Sequence, residues 1–436
     1  MQNVNSFDIF DTLLTRKVKK PIDIFSIIEY KYQISNFASN RVRAEISSNG
    51  TLDDIYNHYA RIENITEEEK ERIKQIEILT ELENIIPIQT NISRVQDSDI
   101  IVSDMYLDEN TLKLFLKTVG LNKNTEVYVS KDGKHQGYIY QKLLEKYKIN
   151  IHTGDNPHSD IHMANQYGIK TVHTSAHQFT KLENEIHLDL ANIIREFRLK
   201  NSYCEHTFEY ELYNEQCKSN ILILSVFCCQ IRSIIEKENL DKILFVTRDC
   251  CLLQKLFYCF FPEINTVIYE NSRLINQNHN EEYIEYVKNI YTDQSIIIDL
   301  NGAFKSGRDL YTKAIGKLPR VHLLCYNQSA PKYDQLSYSC EHTMDDYIEL
   351  LNRDTVGTLI DYKDGVFVRN ENENSIEYIK IIHDTIDEFI RFVKERNLLE
   401  YYISMCNAIL DDPNLYRKLF SNYFFSNSYR GQIINE

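Results

Sequence analysis

Two pairs of aspartates stand at spacings that can support chemistry. The stretch SFDIFDTLLTR (6–16) puts Asp8 and Asp11 at the end of a short apolar run, and HTGDNPHSDIHMA (152–164) puts Asp155 and Asp160 on a loop entering a helix. Gly154 allows a tight turn just before the second pair. Two carboxylates five residues apart, facing a third from another strand end, make an all-oxygen site of the kind that holds magnesium. Each motif alone says little: Asp11-Thr12 reads equally well as a helix cap, and Gly-Asp turns are common. Their placement in the fold gives them weight.

That placement follows from the order of elements. Apolar segments VNSFD (4–8), DIIVSD (99–104), EVYVS (126–130), INIHTGD (149–155) and IKTVHTS (169–175) read as strands. Helical patterns separate them, among them ENTLKLFLKTVG (109–120), stopped by Gly120, and GYIYQKLLEKY (137–147). Alternation of this kind predicts a parallel sheet covered on both faces, with ligands bound outside the carboxyl ends of the strands. Asp8, Ser103 and Asp155 all fall at such ends. Between the first two strands, residues 17–95 carry only helical patterns, in PIDIFSIIEYKY, LDDIYNHYARI and TEEEKERIKQIEILTELENII, with Thr66 and Glu69 spaced as a capping box. An insertion there would cap the active end of the sheet. The expected fold is α/β: a core from 1–16 and 96–180, a helical cap over 17–95, a second α/β domain over 200–335, and a mostly helical region over 336–436.

Bulk properties narrow the class. The 436 residues exceed one ordinary core, and the formal net charge of −15 disfavours non-specific nucleic-acid binding. Ten cysteines, none before Cys204 and none in a CxxC, read as buried free thiols in a reducing compartment. The polar N-terminus lacks a signal core, and the longest apolar run, ILILSVFCC (221–229), is about half a membrane span. The expectation is a cytoplasmic protein with no membrane insertion.

These motifs, in this order, resemble the haloacid dehalogenase (HAD) superfamily of hydrolases. FDIFDTLL matches the first motif with Asp8 as nucleophile, IIVSDMYL the second with Ser103 as the phosphate-binding hydroxyl, and GDNPHSD the fourth with Asp155 and Asp160. The third is a lysine in SKDGKHQGYIY. Lys134 fits better than Lys131, because it stands three residues before a glycine just ahead of the helix. SDMYL, RVRAE and GDNPHSD together are similar to a HAD branch associated with bacterial polysaccharide biosynthesis. The resemblance implies a Rossmann-like core and a Mg2+-dependent phosphohydrolase acting through an aspartyl-phosphate on a small phosphorylated substrate. It also implies polysaccharide-biosynthesis enzymes as partners, and metal-site positions Asp8, Phe10, Asp155 and Asp160. Thr12, Arg41 and Arg43 are candidate substrate contacts, although Arg41, Arg43 and Glu45 read equally as a solvated helix face.

The chain departs from the family at one position. HAD phosphatases carry a general acid two residues after the nucleophile, where this chain has Phe10. General acid catalysis is worth roughly 100- to 10,000-fold. Three readings follow: Asp11 takes over the role, the leaving group needs little protonation, or the domain binds phosphate compounds and turns them over poorly. A dehalogenase would also lack that acid, but it would have no use for Asp155 and Asp160. In the second half, FVTRDCC and IIIDLNGAFKSG put Arg248, Asp249 and Asp299 at strand ends, and YENSR adds Arg273. The pattern resembles the C-terminal module found beside this HAD branch, with Cys250 and Asn301 departing from its glycine-rich form. Such a set suits an anionic ligand, a sugar phosphate or nucleotide; a purely structural domain is the other reading.

Overall fold

Short runs rich in Val and Ile, whose branched side chains pack well on a pleated surface, become the strands of two parallel sheets. The computed structural model describes residues 1–48, 50–327, 331–340, 347–371 and 376–421. In chain order the strands are β1 (Gln2–Phe7), β2 (Leu14–Arg16), β3 (Ile85–Pro87), β4 (Ile100–Asp104), β5 (Glu126–Ser130), β6 (Tyr147–Gly154) and β7 (Lys170–His173). They continue with β8 (Lys242–Val246), β9 (Thr266–Tyr269), β10 (Ser295–Gly302), β11 (Val321–Tyr326), β12 (Leu336–Cys340), β13 (Leu359–Lys363) and β14 (Val366–Arg369). The chain divides into two units, Met1–Phe179 with Arg198–Thr207, and Thr180–Phe197 with Phe208–Glu436.

The first unit holds a parallel sheet of order β5-β4-β1-β6-β7. Both faces are buried, which is why its strands read as near-continuous apolar runs. On β4, Ile100 and Val102 join Ile139, Tyr140 and Leu143 of the helix Tyr138–Lys146. Ile101, between them, joins Leu112 and Phe115 of the helix Glu109–Thr118. From β1 the chain steps to β4 and β5, then returns to the other side of β1 with β6 and β7. The carboxyl ends of β1 and β6 therefore form the switch point, where the connections leave in opposite directions and a crevice opens.

The insertion between β1 and β4 contains the three expected helices, at Asp23–Tyr32, Leu52–Glu63 and Glu67–Glu83, and two that the sequence reading did not separate out, Phe37–Ser47 and the short Gln89–Ile92. Its two ends are joined by β2 and β3, an antiparallel pair with Thr15 opposite Ile86. Both strands are too short to show a period in the sequence. Thr66 accepts from the Glu69 amide at 3.2 Å, so half of the expected capping box forms. Residues 198–207 return to the first unit, where the Gln89 amide donates to the Leu199 carbonyl at 2.9 Å.

The second unit holds a parallel sheet of order β12-β11-β10-β8-β9. One face packs Leu244, Ile297 and Leu323 against Tyr283, Leu310 and Tyr311. On the other, Phe245 meets Phe257 and His322 meets Phe227. The region beyond residue 336, expected to be mostly helical, adds β12 to this sheet and a β13–β14 hairpin before the helices Ile376–Glu395, Leu399–Asp411 and Pro413–Ser421. ILILSVFCC also needs correction. It lies within a 31-residue helical segment, Phe208–Glu238, whose apolar window is long enough to cross a membrane but is 72% buried in the protein. All ten cysteines are free thiols, seven of them buried.

Arg41 shows how the helical insertion is held together. Its side chain is completely buried, forked onto Glu77 at 2.7 and 2.8 Å and bonded to Glu45 at 2.8 Å, with Phe25, Tyr56 and Tyr106 around the guanidinium. Neither a substrate contact nor a solvated helix face describes it; it is an internal ion pair. Arg43, on the same helix, is exposed and reaches Asn40 at 3.3 Å. Removing one partner of a buried pair strands the other charge, at a cost of about 3–5 kcal/mol. Glu77→Ala is expected to lower the urea midpoint of the first unit accordingly, and Arg41→Met with Glu77→Leu to recover most of the loss.

Candidate functional site

Asp8 follows β1 directly, and its amide donates to the Thr153 carbonyl of β6 at 2.9 Å. This bond sets Asp8 beside Gly154 and Asp155 at the switch point. Asn156 caps the turn that follows, accepting from the amides of His158 at 2.9 Å and Ser159 at 3.1 Å, with Pro157 in the first turn where no amide hydrogen is needed. The turn swings Asp160 back over the strand end. A Cβ on Gly154 would lie 2.3 Å from the Asp160 Cγ, so glycine is required for close approach rather than for φ.

Lys134 Nζ sits between two of these acids, in contact with Asp8 Oδ1 and 2.7 Å from Asp160 Oδ1, and all three side chains are buried. Lys131, the other candidate, turns away and donates to the Ser48 carbonyl at 3.0 Å. Asp104 decides which lysine enters. Its carboxylate accepts from the Lys134 amide at 2.9 and 3.0 Å and from the His135 amide at 3.0 Å, so the loop is hung from the end of β4. Ser103, one residue earlier, is buried at the same strand end. The sequence reading missed Asp104, although an acid directly after the strand in VSD was the available signal.

His152 also has a role that its spacing hid. Burial holds its pKa below the usual histidine value. The neutral ring bonds Ser6 Oγ through Nδ1 at 2.8 Å and Asp160 Oδ1 through Nε2 at 3.2 Å, which fits a proton on Nε2. Tyr140 lies 3.1 Å from the same nitrogen and donates to the Ser159 carbonyl at 2.9 Å. Asp160 is thereby clamped from three sides, its other oxygen accepting from the Asn156 amide at 3.0 Å.

Carboxylate oxygens of Asp8, Asp155 and Asp160 lie within 4.8 Å of one another. Burial pushes Asp8 up to about 7 against the pull of Lys134, and burial with the neighbouring charges of Asp8, Asp11 and Asp160 pushes Asp155 up to about 8. Burial acts the same way on Asp160, yet Lys134 and His152 outweigh it and hold that carboxyl below the usual range. Three acids face one lysine, and the oxygen set suits a hard divalent cation. With Asp160 engaged by Lys134 and His152, Asp8 and Asp155 are the acids left to ligate directly.

The question raised by Phe10 has a geometric answer. Its ring lies edge-on to Phe115 at 6.5 Å, with the Arg16 guanidinium 4.1 Å above it. Its side chain thus offers no ligand atom, and as a metal position it has only the backbone carbonyl. Asp11 adopts a left-handed φ of 58°, a region that Asp tolerates better than most residues. Thr15 Oγ1 bonds Asp11 Oδ1 at 2.5 Å, and the Asp11 carboxylate joins Asp155 and His177 in a second group whose ligand atoms lie within 4.8 Å. Asp11 therefore faces the crevice, and it is not a cap of the next helix, which begins only at Asp23. Thr12 is buried, its carbonyl accepting from Asn91 at 2.9 Å and its hydroxyl without a partner. Arg248, Asp249, Arg273 and Asp299 lie in the second unit, where they line a single cavity.

Comparison with family models and with curated proteins finds no match to this chain. Its chemistry rests on the geometry. Burial raises the folded-state pKa of both Asp8 and Asp155 above the usual carboxylate range. The folded state therefore binds more protons, and stability of the metal-free protein falls as pH rises from about 4 through about 8. A divalent cation must displace those protons. Magnesium titration by calorimetry in buffers of differing ionisation enthalpy is expected to release protons at about pH 7 and almost none at about pH 9.

Proposed function

We propose that the first unit is a magnesium-dependent phosphohydrolase of the HAD type, acting on a small phosphorylated metabolite. The observation that carries the reading is Lys134 buried between Asp8 and Asp160, with Asp155 alongside, at the switch point of a parallel sheet. A carboxylate nucleophile needs positive charge nearby before it can approach a phosphate. Asp8 and Asp155 would hold magnesium, which when bound supplies part of that charge. Lys134 supplies the rest, and its grip on one Asp8 oxygen leaves the other for attack. Ser103 and the amides following Asp8 bind the non-bridging oxygens.

In the first half-reaction an Asp8 oxygen forms a bond to phosphorus as the bond from phosphorus to the leaving oxygen breaks. The leaving oxygen takes a proton from Asp11, which the left-handed turn brings to the crevice in place of Phe10. In the second half-reaction Asp11 takes a proton from water, the water oxygen bonds to phosphorus, and Asp8 is released with inorganic phosphate. Asp104, His152 and Tyr140 act by position, through Lys134 and Asp160. The acid cluster argues against halide displacement, in which it would have no task. A non-catalytic binding role was motivated by Phe10, and the orientation of Asp11 weakens that motive.

Phosphate release from a panel of sugar phosphates and nucleotides is expected to require magnesium and to vanish in Asp8→Asn. Equal activity in that variant and the wild type would defeat the proposal. Asp11→Asn is expected to lower kcat by roughly 100- to 10,000-fold, with the smaller loss on substrates whose leaving group is a good one. A loss independent of the leaving group would remove Asp11 from the acid role.

A further inference from the structure

The second sheet has a switch point of its own. From β8 the chain steps to β9, then returns to the other side of β8 with β10, β11 and β12. A crevice is expected outside the carboxyl ends of β8 and β10. A cavity of about 1170 Å³ opens there, lined by the residues that follow those two strands and β9.

Its polar groups divide by charge. Arg248, Arg273 and Lys305 line it, and among the described residues none of the three is held in an ion pair. At the end of β10, Gly302 takes φ 119° and turns the chain, and Phe304 adopts a left-handed φ of 48° just before the helix Lys305–Ile315. A Cβ on Gly307 would lie 2.4 Å from the Phe304 ring, so the spacing in NGAFKSG seats that ring, and the first helical residues, Lys305, Ser306 and Gly307, line the cavity. Cations and a helix N-terminus in one crevice favour an anion.

The lining also holds acceptors, namely Asp249, Asp299 and Glu349 with the side-chain carbonyls of Asn276 and Asn301, and one donor, Asn271 Nδ2, that is buried with no partner among the described residues. Asn276 is 6% exposed; its amide nitrogen is bonded to Asn271 at 2.9 Å and Ser306 at 3.2 Å, while its Oδ1 is buried with no partner among the described residues. Asn301 donates to Glu349 at 3.2 Å, and among the described residues its Oδ1 likewise has no partner. Orphaned acceptors of this kind are rare in folded proteins and call for a donor. Hydroxyl groups supply donors. Among the described residues Phe304 is the one aromatic side chain in the lining, and it belongs to the hydrophobic core, so none of them offers a ring on which a nucleobase would stack.

We propose that this cavity is a second ligand site, independent of the first unit's chemistry, that binds a phosphorylated sugar. The phosphate lies toward Arg248, Arg273, Lys305 and the helix start, and the sugar hydroxyls donate to Asn276, Asn301 and the acids at the ends of β8 and β10.

Hydrogen–deuterium exchange on the full chain tests this with local resolution. Glucose phosphate and ribose phosphate, each compared with the free sugar, inorganic phosphate and the nucleoside monophosphates, are the probes. At least one sugar phosphate is expected to protect residues 246–252, 271–277 and 299–309 more than its parts do. Arg248→Ala and Arg273→Ala are each expected to weaken that protection at least ~10-fold while leaving exchange elsewhere unchanged. Asp8→Asn is expected to leave it intact. Protection confined to residues 8–16 and 131–135 would support the first-unit reading and overturn this one. No protection of the second unit by any probe would overturn the site. Equal protection by inorganic phosphate, or stronger protection by a nucleoside monophosphate, would overturn the sugar-phosphate class.

Discussion

An excess of buried negative charge at one strand end is the constraint around which the first unit is arranged. Asp8, Asp155 and Asp160 crowd together, with the Lys134 ammonium between two of them to offset the charge. Taking charged groups out of water costs several kcal/mol each unless partners compensate. The surroundings of Asp160 follow from that cost: the His152 ring, the Asn156 amide and the lysine each meet one of its lone pairs. Asp8 and Asp155 are compensated less fully, and burial raises both. Groups left in that state inside a crevice are poised for a cation or a proton, the usual mark of a functional site.

Rigidity at the site comes from residues that touch no ligand. Asp104 suspends the Lys134 loop by its backbone, so the lysine arrives with little conformational freedom left to lose. Gly154 lets Asp160 fold over the strand end at a distance no side chain would permit. The β2–β3 pair joins the two ends of the helical insertion beside the Asp8 loop, and the Arg16 fork onto Glu81 ties that pair to the helix Glu67–Glu83. The insertion is thereby anchored to the same short segment that carries Asp8 and Asp11.

The two units share an organising rule although their side chains differ. In each, a parallel sheet reverses its strand order next to its first strand, and polar residues collect where the connections diverge. The first unit places acids and a buried lysine there. The second places cations that pair with no acid, and amide carbonyls that accept from no donor, among the described residues, together with acids around a wide cavity. One arrangement suits reaction at a phosphate, and the other suits recognition of a larger polar molecule.

The alternation of strands and helices was legible in the chain because a strand buried on both faces must be apolar almost throughout. All five apolar segments of the first half appear as strands at the expected places, and FVTRDCC, YENSR and IIIDLNGAFKSG do stand at the ends of β8, β9 and β10. Acids at the ends of β1 and β6 were legible for the same reason, since a charge that terminates such a run can only lie at the sheet edge. The spacing before Gly137 favoured Lys134 over Lys131, and the physical reason is that Asp104, about thirty residues away, accepts from its amide. Two other matters depended on long-range contacts and could not be read locally. Arg41 is a core ion pair because Glu77 lies across from it on another helix. Asp11 faces the crevice because its backbone takes a left-handed turn that reverses the direction an extended register would give. Periodicity records which face of an element is buried; only the packed chain decides which charges meet there.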